Sequence, residues 1–162
     1  MRWIRIGAGS GAAAVLLGAF GAHGLKGRLA DAAEGAARLG WWETGAHYHL
    51  VHSVAVLAVS LWLGACARPG QIEGSGSGAR QSALRGTEER LASAGGLQWA
   101  WARAALIAWC LGMLVFSGTL YVMALSGLRW LGAVTPIGGV LLTAGWLLLA
   151  VGVRRPRAHG SD

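Results

Sequence analysis

Four long stretches without charged residues constrain this chain more than any other feature of its sequence. Residues 6–22, 104–125 and 131–153 contain no charged side chain, and residues 48–67 contain no Arg, Lys or acid, although they include histidines. A helix needs about 20 apolar residues to cross the ~30 Å hydrocarbon layer of a membrane. The sequence therefore predicts four membrane spans, at about 4–23, 47–67, 103–125 and 131–153.

The composition argues against an ordinary soluble domain. Of the 162 residues, 54% are hydrophobic and 13% are charged, whereas soluble domains carry about 25% charged residues. The net charge of +7 would suggest nucleic-acid binding in a soluble protein, but here the basic residues lie at the ends of spans. Two cysteines are too few for a disulfide scaffold. We predict an all-α integral membrane four-helix bundle, a single membrane domain over 1–162.

The distribution of basic residues predicts the orientation of this bundle. With four spans, both termini and the segment between the second and third spans lie on one side, which carries ten Arg residues against four Arg and Lys on the other side. The positive-inside rule then predicts cytoplasmic N- and C-termini in a bacterial inner membrane, with 154–162 as a basic cytoplasmic tail. An alternative interpretation of residues 1–22 is a secretory signal, with a basic start and small residues at its end.

Small residues recur in the first and fourth spans at spacings that favour close helix packing. The glycines predicted to pack are Gly7, Gly11, Gly18, Gly138 and Gly139.

The segments between spans have two different patterns. Residues 29–39 have apolar residues on one side of a helical wheel and charged residues on the other, which predicts a short amphipathic helix on the outer membrane surface. The alternative is an exposed helix outside the membrane that packs on the bundle. Residues 68–97 include a Gly/Ser run and scattered charges, which predicts a flexible cytoplasmic loop.

Histidines carry the main chemical signal in the sequence. His49 and His52 are three residues apart and share a helix face, and His23 closes the first span on the same side of the membrane. Imidazoles ligate several transition metals, so these three residues form a candidate metal or haem site. Two other interpretations are hydrogen bonds between helices, since no Cys or acid completes a closed ligand set, and proton or quinone chemistry. A polar cluster of Tyr48, Ser117 and Tyr121 is predicted within the membrane beside them.

Four sequence motifs, one from each span, together resemble a known family. They are LGAFGAHGL at 17–25, YHLVHS at 48–53, FSGTLY at 116–121 and TPIGG at 135–139. The family is the domain of unknown function 423, which includes bacterial inner-membrane proteins and the animal transmembrane protein 256 group. The resemblance implies a small polytopic membrane protein of a family with no established biochemical activity. It also places a set of residues at the family's characteristic positions, namely His23, Tyr48, His52, Ser117, Tyr121, Thr135 and Pro136, whereas His49 stands where many bacterial members carry Gln.

The sequence contains no complete catalytic constellation. We therefore predict a non-enzymatic structural or accessory subunit of a membrane assembly, without a cofactor and without nucleic acid. Its partners would be the lipid bilayer and other membrane proteins or a second copy of itself. The alternative is a protein that binds or transports a metal, haem or a small molecule through the outer-side histidines.

Overall fold

The fold is an arrangement of helices with short turns between them. The computed structural model describes residues 2–66 and 78–152, and no strand occurs within these ranges. The elements are α1 (Arg2–Phe20), a π-helical turn (Gly21–Leu25), α2 (Lys26–Leu29), α3 (Gly35–Cys66), α4 (Gly78–Ser126), a 3-10 segment (Arg129–Ala133) and α5 (Thr135–Gly152). Four candidate spans result, at Arg2–Leu29, Gly35–Ala65, Gln98–Ser126 and Arg129–Gly152. The prediction of an all-α membrane protein with four long apolar helices is confirmed.

The helices pack as two hairpins side by side. Helix α1 packs along α3, and α4 packs along α5, while α3 and α4 meet at the central seam. Within the described ranges, α1 and α5 do not pack along each other. The seam holds the main core, in which Val56, Leu106 and Trp109 are fully buried. We call the end with the turns at 30–34 and 127–134 the loop end, and the opposite end, with Arg2 and Arg103, the terminal end.

Glycines at a spacing of seven residues bring α5 against α4. Gly138, Gly145 and Gly152 are all buried. A Cβ atom at Gly138 would lie 2.4 Å from the backbone nitrogen of Phe116, and one at Gly145 would lie 2.4 Å from the Trp109 ring. A seven-residue period keeps one helix face on its partner in left-handed packing. The predicted Gly139 lies beside this seam, in ordinary contact with the Phe116 ring at 3.8 Å.

A second set of small residues with the same period joins α1 to α3. Gly7, Ala14 and Gly21 are buried, and a Cβ at Gly7 would lie 2.9 Å from the backbone nitrogen of Leu57. Gly11 is only in ordinary contact with Ser53, and Gly18 faces open space. Gly18 therefore lies off the face that meets α3, because this face follows the seven-residue period.

The first connection differs from the predicted amphipathic helix over 29–39. The chain turns at residues 30–34, and Glu34 has a left-handed backbone with φ 59°. The next residue is Gly35, where a Cβ would lie 2.0 Å from the carbonyl oxygen of Leu29. Leu29 and Leu39 pack instead into a core cluster with Trp42, which is 3% exposed rather than interfacial. The apolar residues of this segment therefore pack against the other helices of the bundle.

Arg38 caps the last turn of α4 at the loop end. Its guanidinium donates to the carbonyl oxygens of Ala124, at 2.7 Å, and Leu125. Such carbonyls lack partners within their own helix and favour a nearby positive charge. Glu34 pairs with Arg129 at 3.0 Å, and both side chains are exposed, so this ion pair links the two turns but adds little stability.

The predicted flexible loop over 68–97 lies partly outside the described residues, and the tail at 154–162 lies wholly outside them. From Gly78 onward, the backbone is helical as the start of α4. Residues 79–92 are rich in Ala, Arg, Glu and Leu, which have high helix propensity, and the apolar helix of the third span continues directly from them. The loop prediction was therefore wrong over 78–97.

Gly138→Ala should destabilise the protein by about 1–3 kcal/mol, because its Cβ meets backbone that can move only if α4 and α5 separate. Gly18→Ala is the matched control and should be neutral or slightly stabilising, since this helical site has open space. Unfolding in mixed detergent micelles measures both variants. Equal effects at the two glycines would contradict the packing described here.

Candidate functional site

His49 lies at the centre of a chain of polar side chains between α1, α3 and α4. Its Nε2 lies 2.9 Å from the hydroxyl of Ser10, and its Nδ1 lies 3.3 Å from the hydroxyl of Tyr121. Ser53 extends the chain, because its Oγ lies 2.8 Å from that of Ser10 and 2.7 Å from the carbonyl oxygen of His49, and its single proton can be donated to either. Since a hydroxyl can donate or accept, either neutral tautomer of His49 is satisfied at both nitrogens. We call the side chains of Ser10, His49, Ser53 and Tyr121 the His49 chain. Because its hydroxyls can reverse, the imidazole proton can lie on Nδ1 or on Nε2.

His52 also lies in α3 and is buried, and each of its two ring nitrogens has a hydrogen-bond partner. The indole Nε1 of Trp146 donates to His52 Nε2 at 3.2 Å, and because an indole N–H only donates, this nitrogen carries no proton. His52 Nδ1 therefore carries the proton and donates to the carbonyl oxygen of Tyr48 at 2.8 Å. The ring also contacts those of Trp109, Trp146 and Tyr48. Neither nitrogen of His52 has a lone pair available for a metal.

The structure does not assemble the predicted metal site of His23, His49 and His52. His23 is exposed within the π-helical turn, whereas His49 faces α1 and His52 faces α5. Among the described residues, no group of three His, Cys, Asp or Glu side chains is placed to hold a metal ion. Helix spacing gives the face of a histidine but not the neighbour that its ring contacts.

A cavity of about 390 Å³ opens beside the His49 chain. Ser10, His49, Ser117 and Tyr121 contribute its polar lining, and Ile6 is among its apolar walls. Ser117 is 1% exposed, and its hydroxyl has no partner among the described residues. The cavity carries no charged group, so the chemistry it offers is hydrogen bonding to a neutral molecule.

The predicted polar cluster of Tyr48, Ser117 and Tyr121 is only partly brought together. Ser117 and Tyr121 line the same cavity. Tyr48 lies on another face, 42% exposed, where its ring packs against Phe116 with centroids 4.8 Å apart.

Three residues that join the histidines to other helices were not predicted from the sequence, namely Ser10, Ser53 and Trp146. Ser10 is the only hydroxyl residue in 6–22, and Ser53 follows His49 by one helical turn. Both features could have marked them as partners of an intramembrane histidine, since polar groups in lipid must pair. Nothing in the sequence indicates the contact of Trp146 with His52, because 94 residues separate them.

Comparison with known proteins places this fold in a family. The sequence profile described as "Protein of unknown function (DUF423)" matches residues 17–139. The chain belongs to the DUF423 family. The matched range contains His49, His52, Ser117 and Tyr121, and it begins after Ser10.

Several curated relatives are similar over nearly their whole length. The UPF0382 membrane protein of Haemophilus influenzae is 34% identical, with 93% of this chain and 92% of the relative covered. The UPF0382 membrane protein YwdK of Bacillus subtilis is 32% identical over 92% of this chain and 93% of its own. The UPF0382 inner membrane protein YgdD of Escherichia coli K12 is 33% identical over 93% of this chain and 88% of its own. No solved structure matches the chain significantly.

His52→Ala should lower the free energy of unfolding by about 2 kcal/mol, because it removes two hydrogen bonds and leaves a cavity between aromatic rings. The metal content of the purified protein should not change. His47→Ala, at an exposed position five residues earlier, should leave stability unchanged. Unfolding in detergent and elemental mass spectrometry check these expectations. Stoichiometric metal that is lost in His52→Ala would contradict the pairing described for this imidazole.

Proposed function

We propose that this protein is a non-catalytic accessory subunit of a membrane assembly. The observation that carries the proposal is the use of intramembrane polar side chains to join the protein's own helices. His49 joins α3 to α1 and α4 through Ser10 and Tyr121, and Trp146 joins α5 to His52. Side chains committed to such pairs support a rigid scaffold more than a catalytic site.

The exposed face of α5 supplies a surface on which a partner helix can pack. Ile137, Val140, Leu147 and Val151 are between 47% and 68% exposed. Together with Ala144, they follow a spacing of three and four residues, which is the pattern of a left-handed helix seam. This stripe, which we call the α5 stripe, lies on the face away from the glycines that meet α4. We propose that it packs against a span of a partner protein or a second copy.

We further propose that the protein lies in the bacterial cytoplasmic membrane with both termini in the cytoplasm. The name of the Escherichia coli relative as an inner membrane protein supports the location. The side predicted to be cytoplasmic carries ten Arg residues in the sequence, against four Arg and Lys on the other side. This excess supports the orientation.

The α5 stripe is tested by Leu147→Trp, with Leu16→Trp as the control. Both leucines are exposed in spans, at 62% and 71%, but Leu16 lies on α1. The α5 variant should reduce the yield of a cross-linked complex, formed in native membranes and purified through this chain, by about tenfold, which corresponds to 1.4 kcal/mol of binding energy. The α1 variant should leave the yield unchanged. Equal yields from both variants and the wild type would contradict the proposed surface.

The orientation is tested by reporter fusions. Alkaline phosphatase fused after Asp162 should be inactive, because the enzyme stays in the cytoplasm, and green fluorescent protein at the same position should fluoresce. Alkaline phosphatase fused after Trp130, in a truncated chain that ends at the loop end, should be active. High phosphatase activity after Asp162 would show the opposite orientation.

A further inference from the structure

A cavity of about 740 Å³ opens at the terminal end, where the start of α1 and the end of α3 meet α4. Its lining includes two arginines, two tryptophans and apolar side chains. The lining residues include Arg2, Trp3, Ile4, Leu61, Trp99 and Arg103. The His49 chain is not part of this cavity, so the proposed function does not account for it.

Two positive charges lie at this cavity. Arg2 and Arg103 are both exposed, and neither forms an ion pair within the described part of the chain. Among the described residues, no acidic side chain lines the cavity. An arginine guanidinium binds phosphate through paired N–H donors in a fixed geometry. Two of them at one opening therefore favour an anionic phosphate group.

The remaining walls are those of a lipid site rather than of a site for free phosphate. Trp3 and Trp99 are half-buried and pack against the main core cluster, in the position that indole rings favour at a membrane surface. Leu61 is 53% exposed on the wall that faces away from the core. A volume of 740 Å³ is within the range of ordinary ligand sites, about 300–1,000 Å³. It exceeds what a phosphate ion alone would fill.

We propose that this cavity binds an anionic phospholipid. Arg2 and Arg103 hold the phosphate of the headgroup, and the acyl chains leave along Ile4 and Leu61 into the bilayer. The bound lipid would bridge α1 and α4, which otherwise meet mainly through α3. Basic pockets between spans are a recurrent form of lipid headgroup recognition, and the described lining of this one contains two arginines and no acid.

The test compares the lipid preference of the full chain with that of charge-matched variants. Each protein is reconstituted in nanodiscs of equal phosphatidylglycerol and phosphatidylcholine, and the lipids retained after mild extraction are counted by native mass spectrometry. The wild type should retain more phosphatidylglycerol than phosphatidylcholine, and the Arg2→Gln/Arg103→Gln double variant should lower the ratio of the two retained lipids at least about fivefold. Lys26→Gln/Arg28→Gln removes the same charge at the loop end and should leave this ratio unchanged. Circular dichroism verifies folding, and Arg103→Gln alone provides a milder variant with an intermediate loss.

Three results would overturn the proposal. One is an unchanged preference for phosphatidylglycerol in both Arg103 variants. Another is an equal loss in the Lys26/Arg28 variant, which would mean that overall charge attracts the lipid. The third comes from thermal unfolding in detergent: if inorganic phosphate raises the melting temperature as much as phosphatidylglycerol does, the occupant is a free anion rather than a lipid.

Discussion

The close approach of helix backbones is the constraint on which the rest of this structure depends. In a bilayer, lipid tails are as apolar as leucine, so helices associate through packing and hydrogen bonds rather than through the hydrophobic effect. Gly138 and Gly145 let α5 approach α4 closely, and at this distance Trp146 reaches His52. Gly7 does the same for α1 and α3, where Ser10 reaches His49. The polar contacts are therefore consequences of the glycine contacts.

The two intramembrane histidines serve different roles despite being three residues apart. His52 has one possible proton arrangement because its partners are an indole N–H and a carbonyl oxygen. His49 has hydroxyl groups on both sides and accepts either arrangement. The imidazole of His52 thus fixes the position of α5 through Trp146. The imidazole of His49 can instead carry its proton on either nitrogen, beside the 390 Å³ cavity. The unpaired hydroxyl of Ser117 lies in that same cavity.

The positions of the spans could be predicted from the sequence, because they depend on membrane thickness. The contacts of individual side chains could not, because they depend on which helices lie next to each other. The four spans follow from the lengths of charge-free stretches, because the hydrocarbon layer has a fixed depth. Trp42 is buried because Gly21 gives its ring room inside the bundle, and the sequence does not indicate this contact. The seven-residue glycine period of α5 is visible in the sequence, whereas its match to Phe116 and Trp109 requires the register of α4. The same holds for the histidines, since a spacing does not specify a neighbour.

The two-hairpin packing has a consequence for the biogenesis of the protein. Each hairpin joins spans that are neighbours in the sequence, so the span Arg2–Leu29 meets α3 across the turn at 30–34, and such short closures cost little entropy. All contacts of the first hairpin lie within the first 66 residues, so this pair is complete in sequence before the second pair has been synthesised. The α3–α4 seam, which carries the aromatic core, can form only once α4 has followed.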